Sequence, residues 1–465
     1  MRELFTLKYL SYFRKSIKTV LAFSFLFLGL LGSLYALVSV TAEANLPMQL
    51  SLGDALQMAL DRDVNLIVGQ ERVNQALARM NQSVSFLLPQ VTGDISQKRQ
   101  TRDLRSSGIT LPGDPLVGPF NSFDARVKLT QVLFDRSALE RFKTAQLNHQ
   151  LSSLEYRKVR EDTLSLVATF FIEAKRAAQS LKVYKLMLKR DQKQLNLLQS
   201  RFESGLSTAV ELDKAKTSYA QSLSNWQMAQ TDSIDKRLTL CAALGLPLEQ
   251  EIVFSWDQND LDRTILLENF SKKTVDQHPD VQVALQKFKF AQSQKSVEVA
   301  EYWPKIVAMA DYGPSGLEPR DSNDTYTLGV QASVPIWEGG LRHARIKEME
   351  SEIKEHQANL EDKQRHIAAA ILNAKQYLRQ SEMTLKAKKL ETHQVDEELK
   401  LAKERFLSGI GSNWELINAL TQQVLVYDQG DDAVAAHLMA QINLAHAMGQ
   451  LDQWAAALIE NNVGD

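Results

Sequence analysis

Two segments of this chain are too long to be ordinary helices of a compact domain. Residues 136–203 and 341–407 contain no proline or glycine, and their apolar side chains recur at helical spacing. At 1.5 Å per residue, the first segment predicts a helix on the order of 100 Å long. Because such a helix cannot bury its apolar stripe in one compact core, we expect it to lie along partner helices.

Each long segment ends at a similar short turn. Arg-Phe-Glu-Ser-Gly-Leu-Ser-Thr occupies 201–208, and Arg-Phe-Leu-Ser-Gly-Ile-Gly-Ser occupies 405–412. Gly205 and Gly409 stand where a helix end needs a residue that tolerates positive φ. Candidate caps for a returning helix follow, namely Ser207 or Thr208 and Ser412 or Asn413. One Ser-Gly is typical of an ordinary helix end, but two copies at one offset predict the tips of two helical hairpins.

The remaining sequence signals recur in the same order. A proline ends an earlier helix at 89 and again at 304, and an apolar residue followed by Gly ends the return helix at 244–245 and 448–449. Offsets near 204 that shift only in loops indicate an internal duplication. The predicted organisation is a signal peptide at 1–44, a first repeat at 45–250, a linker at 251–263, a second repeat at 264–450 and a C-terminal tail at 451–465.

The amino terminus has the pattern of a secretory leader. Five basic residues precede an uncharged apolar run from 19 to 40, and Ala-Glu-Ala at 42–44 offers a cleavage site. The run is long enough that an uncleaved membrane anchor remains an alternative. A net charge of −2 predicts no general attraction to nucleic acid. The single cysteine, Cys241, cannot form an internal disulfide.

Each repeat also contains two stretches of alternating polar and apolar residues. They predict two strands of about 10 to 12 residues, a length that suits a tilted transmembrane strand. The joining polar loops are predicted at about 98–121 and 313–325. Four strands cannot close a barrel, and an open edge in lipid leaves backbone groups unpaired, so we expect three copies to supply about twelve strands. A polar face would then line the lumen, with Asp124, Arg126, Lys128 and Thr130.

The predicted fold class is therefore α+β. A membrane-spanning β-barrel, shared by three subunits with four strands each, continues into a long α-helical coiled-coil barrel. A soluble sheet with one wet face predicts the same alternation, and the secretory leader favours the barrel. A second alternative is a periplasmic coiled-coil adaptor or structural protein, anchored by an uncleaved N-terminal segment. That alternative does not explain two matched pairs of strands.

The sequence predicts no enzyme. His437 and His446 are nine apart, and no metal-ligand spacing or His-Glu-x-x-His occurs. The segment 313–317 lacks the closing glycine of a nucleophile elbow, and there is no phosphate-cradling glycine loop. We therefore predict no catalytic residues, no metal and no cofactor.

The duplicated order of strand, loop, strand, very long helix, Ser-Gly tip and return helix resembles the TolC-type outer-membrane efflux proteins. The likeness covers about 50–450, and its most specific elements are the two Arg-Phe-x-Ser-Gly tips and Val-Pro-Ile-Trp-Glu-Gly-Gly at 334–340. The resemblance implies a homotrimer in outer-membrane lipid with a helical tunnel through the periplasm. It also implies an exit duct of a tripartite efflux pump or type I secretion system, docked on a periplasmic adaptor (membrane fusion protein) and an inner-membrane transporter of RND or ABC type. The exported substrate stays open between drug, metal ion, siderophore and protein.

The resemblance also assigns roles near the tips. The adaptor-docking surface corresponds to Ser204, Gly205, Leu206, Ser207 and Thr208, and to Ser408, Gly409, Ile410, Gly411 and Ser412. In the family, acidic residues narrow the periplasmic entrance. Glu415 corresponds to the first of these positions, and Asn418 stands where another acid is often found. Glu211 is the matching residue past the first tip. Phe406 and Gly411 lack the side-chain groups that close the entrance in some members. Independently, three Glu415 carboxylates around a narrow axis would attract cations, although a helix N-terminus also favours a glutamate.

Overall fold

The computed structural model describes residues 47–108, 116–255 and 272–462. The predicted signal peptide, residues 256–263 of the predicted linker and the last three residues lie outside these ranges. The chain divides into two units, residues 1–48 with 249–253 and residues 49–248 with 254–465. The long helices and the large sheet belong to the second unit.

The secondary structure alternates short helices, paired strands and long helices. In chain order the elements are β1 (Met48–Leu50), α1 (Leu52–Arg62), α2 (Val64–Ser85), β2 (Gln90–Asp103), a 3-10 turn (Leu104–Ser107), β3 (Leu116–Phe134), α3 (Arg136–Glu203), α4 (Ala209–Ala243), β4 (Ile252–Phe254), α5 (Lys272–Gln277), α6 (Pro279–Ala300), β5 (Lys305–Glu318), β6 (Asp321–Ser333), α7 (Leu341–Leu407), α8 (Asn413–Ala447) and α9 (Leu451–Asn462).

Both long helices begin and end where the sequence predicts. Helices α3 and α7 contain 68 and 67 residues, and their return helices α4 and α8 contain 35 residues each. The two starts differ: the Asp135 carboxylate accepts a hydrogen bond from Ala138 N at 2.9 Å, whereas α7 follows Gly340 at φ +84° without a side-chain cap. Helix α4 packs on α3, and α8 packs on α7. Each long segment therefore forms one arm of a helical hairpin.

The four long strands form one antiparallel sheet in the order β2-β3-β5-β6. The central pair joins the two halves of the chain, because Val127 lies opposite Tyr312 and Leu129 opposite Ala310. Strand β2 is paired on one side only, by β3, and β6 on one side only, by β5. Within the described residues the sheet therefore has two open edges.

The strands are longer than predicted and extend into both predicted loops, although residues 109–115 of the first loop lie outside the described ranges. In the first pair, Lys98 lies opposite Ser122 and Gln100 opposite Phe120, inside the segment predicted as a loop. In the second pair, the ladder reaches Glu318 opposite Asp321. The loop prediction was wrong here because ladder hydrogen bonds join backbone groups, so polar side chains do not end a strand.

The helices packed around the middle of α3 carry much of the buried apolar surface. Leu164, Val167 and Phe171 of α3 are almost completely buried. Residues predicted as a C-terminal tail form α9, in which Leu451 is fully buried and its N–H donates to the buried Glu161 carboxylate at 2.9 Å. Burial raises the pKa of Glu161, and the two backbone N–H bonds at the start of α9 oppose that rise. Helix α9 is therefore part of the folded unit.

No helix in the described ranges combines the length and apolar character needed to cross a membrane.

Candidate functional site

The first tip is a tight turn stabilised by its own side chains. Gly205 has φ +68°, and Leu206 N donates to Arg201 O at 2.7 Å, which closes the end of α3. Of the two predicted caps, Thr208 is the one that accepts from Glu211 N, at 3.3 Å. The Glu211 carboxylate in turn accepts from Thr208 N at 2.9 Å and from the Ser207 hydroxyl at 2.7 Å. These bonds, the backbone one first, lower the pKa of Glu211.

The second tip has the same turn conformation, but its glutamate makes different contacts. Gly409 has φ +72°, and Ile410 N donates to Arg405 O at 3.1 Å. Ser412 is the cap and accepts from Glu415 N at 3.1 Å. The Glu415 carboxylate lies 3.1 Å from Arg405 Nε instead of returning to the cap. Matching positions in the two halves thus hold a capping acid and an ion-paired acid.

At the position after its positive-φ glycine, each tip has an exposed apolar side chain. Leu206 is 76% exposed and Ile410 is 78% exposed. The neighbouring Ser204 and Ser408 hydroxyls donate to backbone carbonyls four residues earlier, each at 2.8 Å. The serines therefore finish the helices, while the two apolar side chains remain available for contact.

Three residues were predicted for the periplasmic entrance. Glu211 and Glu415 both lie in the first turn of a return helix, and Asn418 is exposed one turn after Glu415. The free N–H groups at a helix start favour an acid in either position. The Glu415 carboxylate forms an ion pair with Arg405 of the preceding long helix, whereas the Glu211 carboxylate accepts hydrogen bonds from Ser207 and Thr208. Their role in an entrance stays a prediction.

The polar face of the sheet carries a network of ion pairs. Arg126 Nε lies 2.7 Å from Asp124, its Nη1 donates to Asp311, and its Nη2 donates to Thr325 at 2.9 Å. Lys128 Nζ lies 2.9 Å from Asp94 on β2. One face of the sheet therefore carries the four predicted lumen residues, Asp124, Arg126, Lys128 and Thr130. On this face, Arg126 and Lys128 contact side chains from the other three long strands. Sequence reasoning missed Asp94, Asp311 and Thr325, whose proximity depends on strand pairing.

The opposite face of the sheet is apolar and exposed. Val127 and Leu129 of β3 and Tyr326, Leu328 and Val330 of β6 are all exposed large side chains on this face. Contiguous exposed apolar surface of this kind marks contact with a membrane or another protein.

No group of three or more His, Cys, Asp or Glu that could hold a metal ion occurs in the described part of the chain. His437 is buried between Ser381 and Gln441, each 3.0 Å from a ring nitrogen. Burial lowers the pKa of this imidazole. Its partners are those of a packed, hydrogen-bonded histidine.

Comparison with known families decides where the chain belongs. The model of the outer membrane efflux protein family matches residues 55–246 and 271–450, which include both hairpins and all four long strands. The chain belongs to the outer membrane efflux protein family. Curated relatives of this family member include the pyoverdine export outer membrane protein OpmQ of Pseudomonas putida, 23% identical over 86% of this chain and 85% of OpmQ. The alkaline protease secretion protein AprF of Pseudomonas aeruginosa is 22% identical over 89% of this chain and 87% of AprF.

Solved structures give the same fold at lower identity. The outer membrane channel CmeC of Campylobacter jejuni has a TM-score of 0.74 at 14% identity, covering 88% of this chain and 89% of CmeC. The outer membrane channel MtrE of Neisseria gonorrhoeae has a TM-score of 0.70 at 15% identity, covering 86% and 89%. Like its relatives, this efflux protein is an outer-membrane exit component of export systems. The alternative of a periplasmic coiled-coil adaptor or structural protein, anchored by an uncleaved N-terminal segment, is therefore not retained.

Proposed function

We propose that three copies of this efflux protein form one continuous exit duct. Four strands from each copy would close a barrel in the outer membrane, and the six helical hairpins would form a tunnel in the periplasm. The observation that carries this proposal is the sheet, which has two open edges, one polar face and one exposed apolar face. Such a sheet in lipid must pair both edges, and joining β6 of one copy to β2 of the next would pair them.

The two faces of the sheet fit the two surroundings of a barrel wall. The network around Arg126 and Lys128 would face water, where charged groups remain solvated. The face with Val127, Tyr326 and Leu328 would meet lipid. Reversing this orientation would place two basic and three acidic side chains in hydrocarbon, at a cost of several kcal/mol.

We also propose that the chain arose by internal duplication. Two strand pairs, each followed by a long helix and a return helix, support this proposal, with lengths of 68 and 35 residues against 67 and 35. The two hairpins would then occupy equivalent places around the tunnel. Three copies would supply six hairpins with pseudo-sixfold symmetry.

The hairpin tips are the proposed contact with a periplasmic adaptor, through which an inner-membrane transporter would deliver substrate. Leu206 and Ile410 support this, because each tip presents one exposed apolar side chain at the same offset from its glycine. The entrance would lie beside Glu211, Glu415 and Asn418. OpmQ is named for pyoverdine export and AprF for protease secretion, so we propose that cargo is chosen mainly by the inner-membrane partner.

A cysteine experiment tests the shared barrel. Cys241 is buried, so an introduced pair is the reactive one under native conditions. A double variant with Ile95→Cys on β2 and Cys at 326, 328 or 330 on β6 should form disulfides between copies at one of the three β6 positions. The crosslinked species should run at three times the subunit mass.

The matched control places both cysteines on the central strands. Leu129→Cys with Ala310→Cys pairs neighbours within one chain and should give no linked copies. Purified protein should also conduct ions in a planar bilayer. A single-subunit mass in detergent together with no β2–β6 crosslink would contradict the shared barrel.

A further inference from the structure

A groove of about 660 Å³ lies between α3 and α8, where the two hairpins of one chain meet. Ligand pockets in proteins are commonly about 300–1,000 Å³ and largely apolar. Most of its lining is aliphatic, and the lining residues are Leu186, Met187, Leu188, Lys189, Arg190, Gln192 and Lys193 of α3 and Ile417, Leu420, Thr421 and Val424 of α8. The aliphatic side chains are Leu186, Met187, Leu188, Ile417, Leu420 and Val424.

Side-chain packing does not close the groove. Leu186 is 53% exposed and Leu420 is 44% exposed, although both face the seam between the helices. Arg190 spans this seam, and its Nη1 donates to Thr421 Oγ1 at 3.0 Å. This hydrogen bond joins the two helices beside the leucines. The groove is therefore a defined feature of the seam.

Arg190 is fixed in place from the side away from α8. Its Nε donates to Asp191 Oδ1 at 2.7 Å, and Asp191 is buried. The second carboxylate oxygen of Asp191 accepts from the hydroxyls of Ser218 and Ser222 on α4. A buried carboxylate that loses its partners is costly, so Arg190 cannot readily turn away and let the helices close.

The rim of the groove is basic. Lys189 and Lys193 line it, both are exposed, and within the described residues neither ammonium group has an ion pair or a hydrogen-bond partner. They stand four residues apart on one helix face, where like charges repel. The lining contains no aspartate or glutamate. An anion between the two ammonium groups would relieve the repulsion.

We infer that this groove binds an amphiphilic anion, namely an alkyl chain with a carboxylate or sulfate headgroup. The headgroup would lie between Lys189 and Lys193, and the alkyl chain would lie along Leu186 and Leu420. Cations are repelled by the rim, and the lining offers no aromatic side chain for stacking with a ring. The bound chain contacts both hairpins and fills the seam between them. This binding goes beyond the exit-duct function and does not require transport.

The test uses the full-length protein in lipid nanodiscs, so that the apolar face of the sheet is covered. The probe is 11-(dansylamino)undecanoic acid, whose fluorescence is titrated against empty nanodiscs. We expect saturable binding that dodecanoate displaces and dodecanol does not. Lys189→Glu with Lys193→Glu should weaken binding by about tenfold or more, since two charge-assisted contacts become repulsive.

The matched control is Lys182→Glu with Lys185→Glu, which makes the same charge change on α3 outside the groove and should leave binding within about twofold. Leu420→Trp fills the groove without changing charge and should also weaken binding, so it decides the matter if the lysine variant misfolds. Unchanged binding in folded groove variants, or equal displacement by dodecanol, would overturn the inference. If the protein conducts ions but does not bind the probe, only the proposed binding in the groove is overturned. If it binds the probe but never conducts ions, only the proposed exit duct is overturned.

Discussion

Replacing the tip glycines tests whether docking on an adaptor requires the left-handed backbone conformation of the two turns. Gly205 and Gly409 have φ values of +68° and +72°, and a Cβ added to either would meet no heavy atom within 4 Å. The cost of Gly205→Val with Gly409→Val therefore comes from the left-handed backbone, not from a clash. That conformation costs a side-chain-bearing residue about 1–2 kcal/mol at each tip, and β-branching adds to it.

This free-energy cost is large for the conformation of one turn and small for the stability of the whole trimer. A penalty of about 1–2 kcal/mol changes the population of the turn by about 5–30-fold. The helices on either side bury their apolar residues elsewhere, so we expect the trimer mass to stay unchanged and the melting temperature to fall by only a few degrees. Docking on an adaptor and export should both fall by about tenfold or more in cells.

Two controls separate backbone conformation from surface. Gly205→Asn with Gly409→Asn keeps a residue that tolerates positive φ, and it should retain most docking and export. Gly430→Val lies within α8, where the added Cβ makes only an ordinary 3.8 Å contact with Thr392, and it should behave like wild type. The assays are crosslinking of the adaptor to the tips and export from cells. Normal export by the valine variant, or equal loss in the asparagine and valine variants, would refute the reasoning.

Three further perturbations follow from named contacts. Arg405→Gln frees the Glu415 carboxylate and should raise cation preference, while Glu415→Gln should lower it; equal reversal potentials across a salt gradient in planar bilayers would remove Glu415 from the ion path. Burial lowers the pKa of His437, so as pH falls the imidazole of the unfolded chain takes up a proton before that of the folded chain. The folded state is therefore expected to lose stability as pH falls below about 6.5. His437→Gln should make the melting temperature less dependent on pH between about 5.5 and 7.5. Phe171→Ala removes a fully buried ring and should cost about 3–5 kcal/mol by denaturant unfolding, against less than about 0.5 kcal/mol for the exposed Leu166→Ala.

The agreement between sequence and structure is closest where the signal is local. The ends of α3 and α7 follow from proline- and glycine-free segments closed by a glycine, and the return helices begin at hydroxyl caps. Caps and positive-φ glycines act over four to six residues, so the sequence around each tip is sufficient. The alternation that placed Asp124, Arg126 and Lys128 on one face is likewise local, because neighbouring side chains of a strand point to opposite faces.

The errors and omissions arise where distant parts of the chain meet. Loop boundaries were wrong because pairing partners extend a strand beyond its alternating segment. The different uses of Glu211 and Glu415 depend on whether the acid returns to its cap or reaches Arg405 on the preceding helix. The prediction of a C-terminal tail missed helix α9, in which Leu451 N donates to the Glu161 carboxylate 290 residues earlier in the chain.

By itself, the sequence determined the lengths of the long helices, their glycine tips, the four strands and the polarity of each sheet face. These features depend on side-chain periodicity and helix capping, in which the interacting residues lie close together in the sequence. Only the tertiary structure decided that β3 pairs with β5, that Arg126 meets Asp311, and that Arg190 bridges α3 to α8 beside an open groove. The two side-chain contacts join residues 185 and 231 positions apart, and the geometry of all three features is set by how whole helices and strands pack.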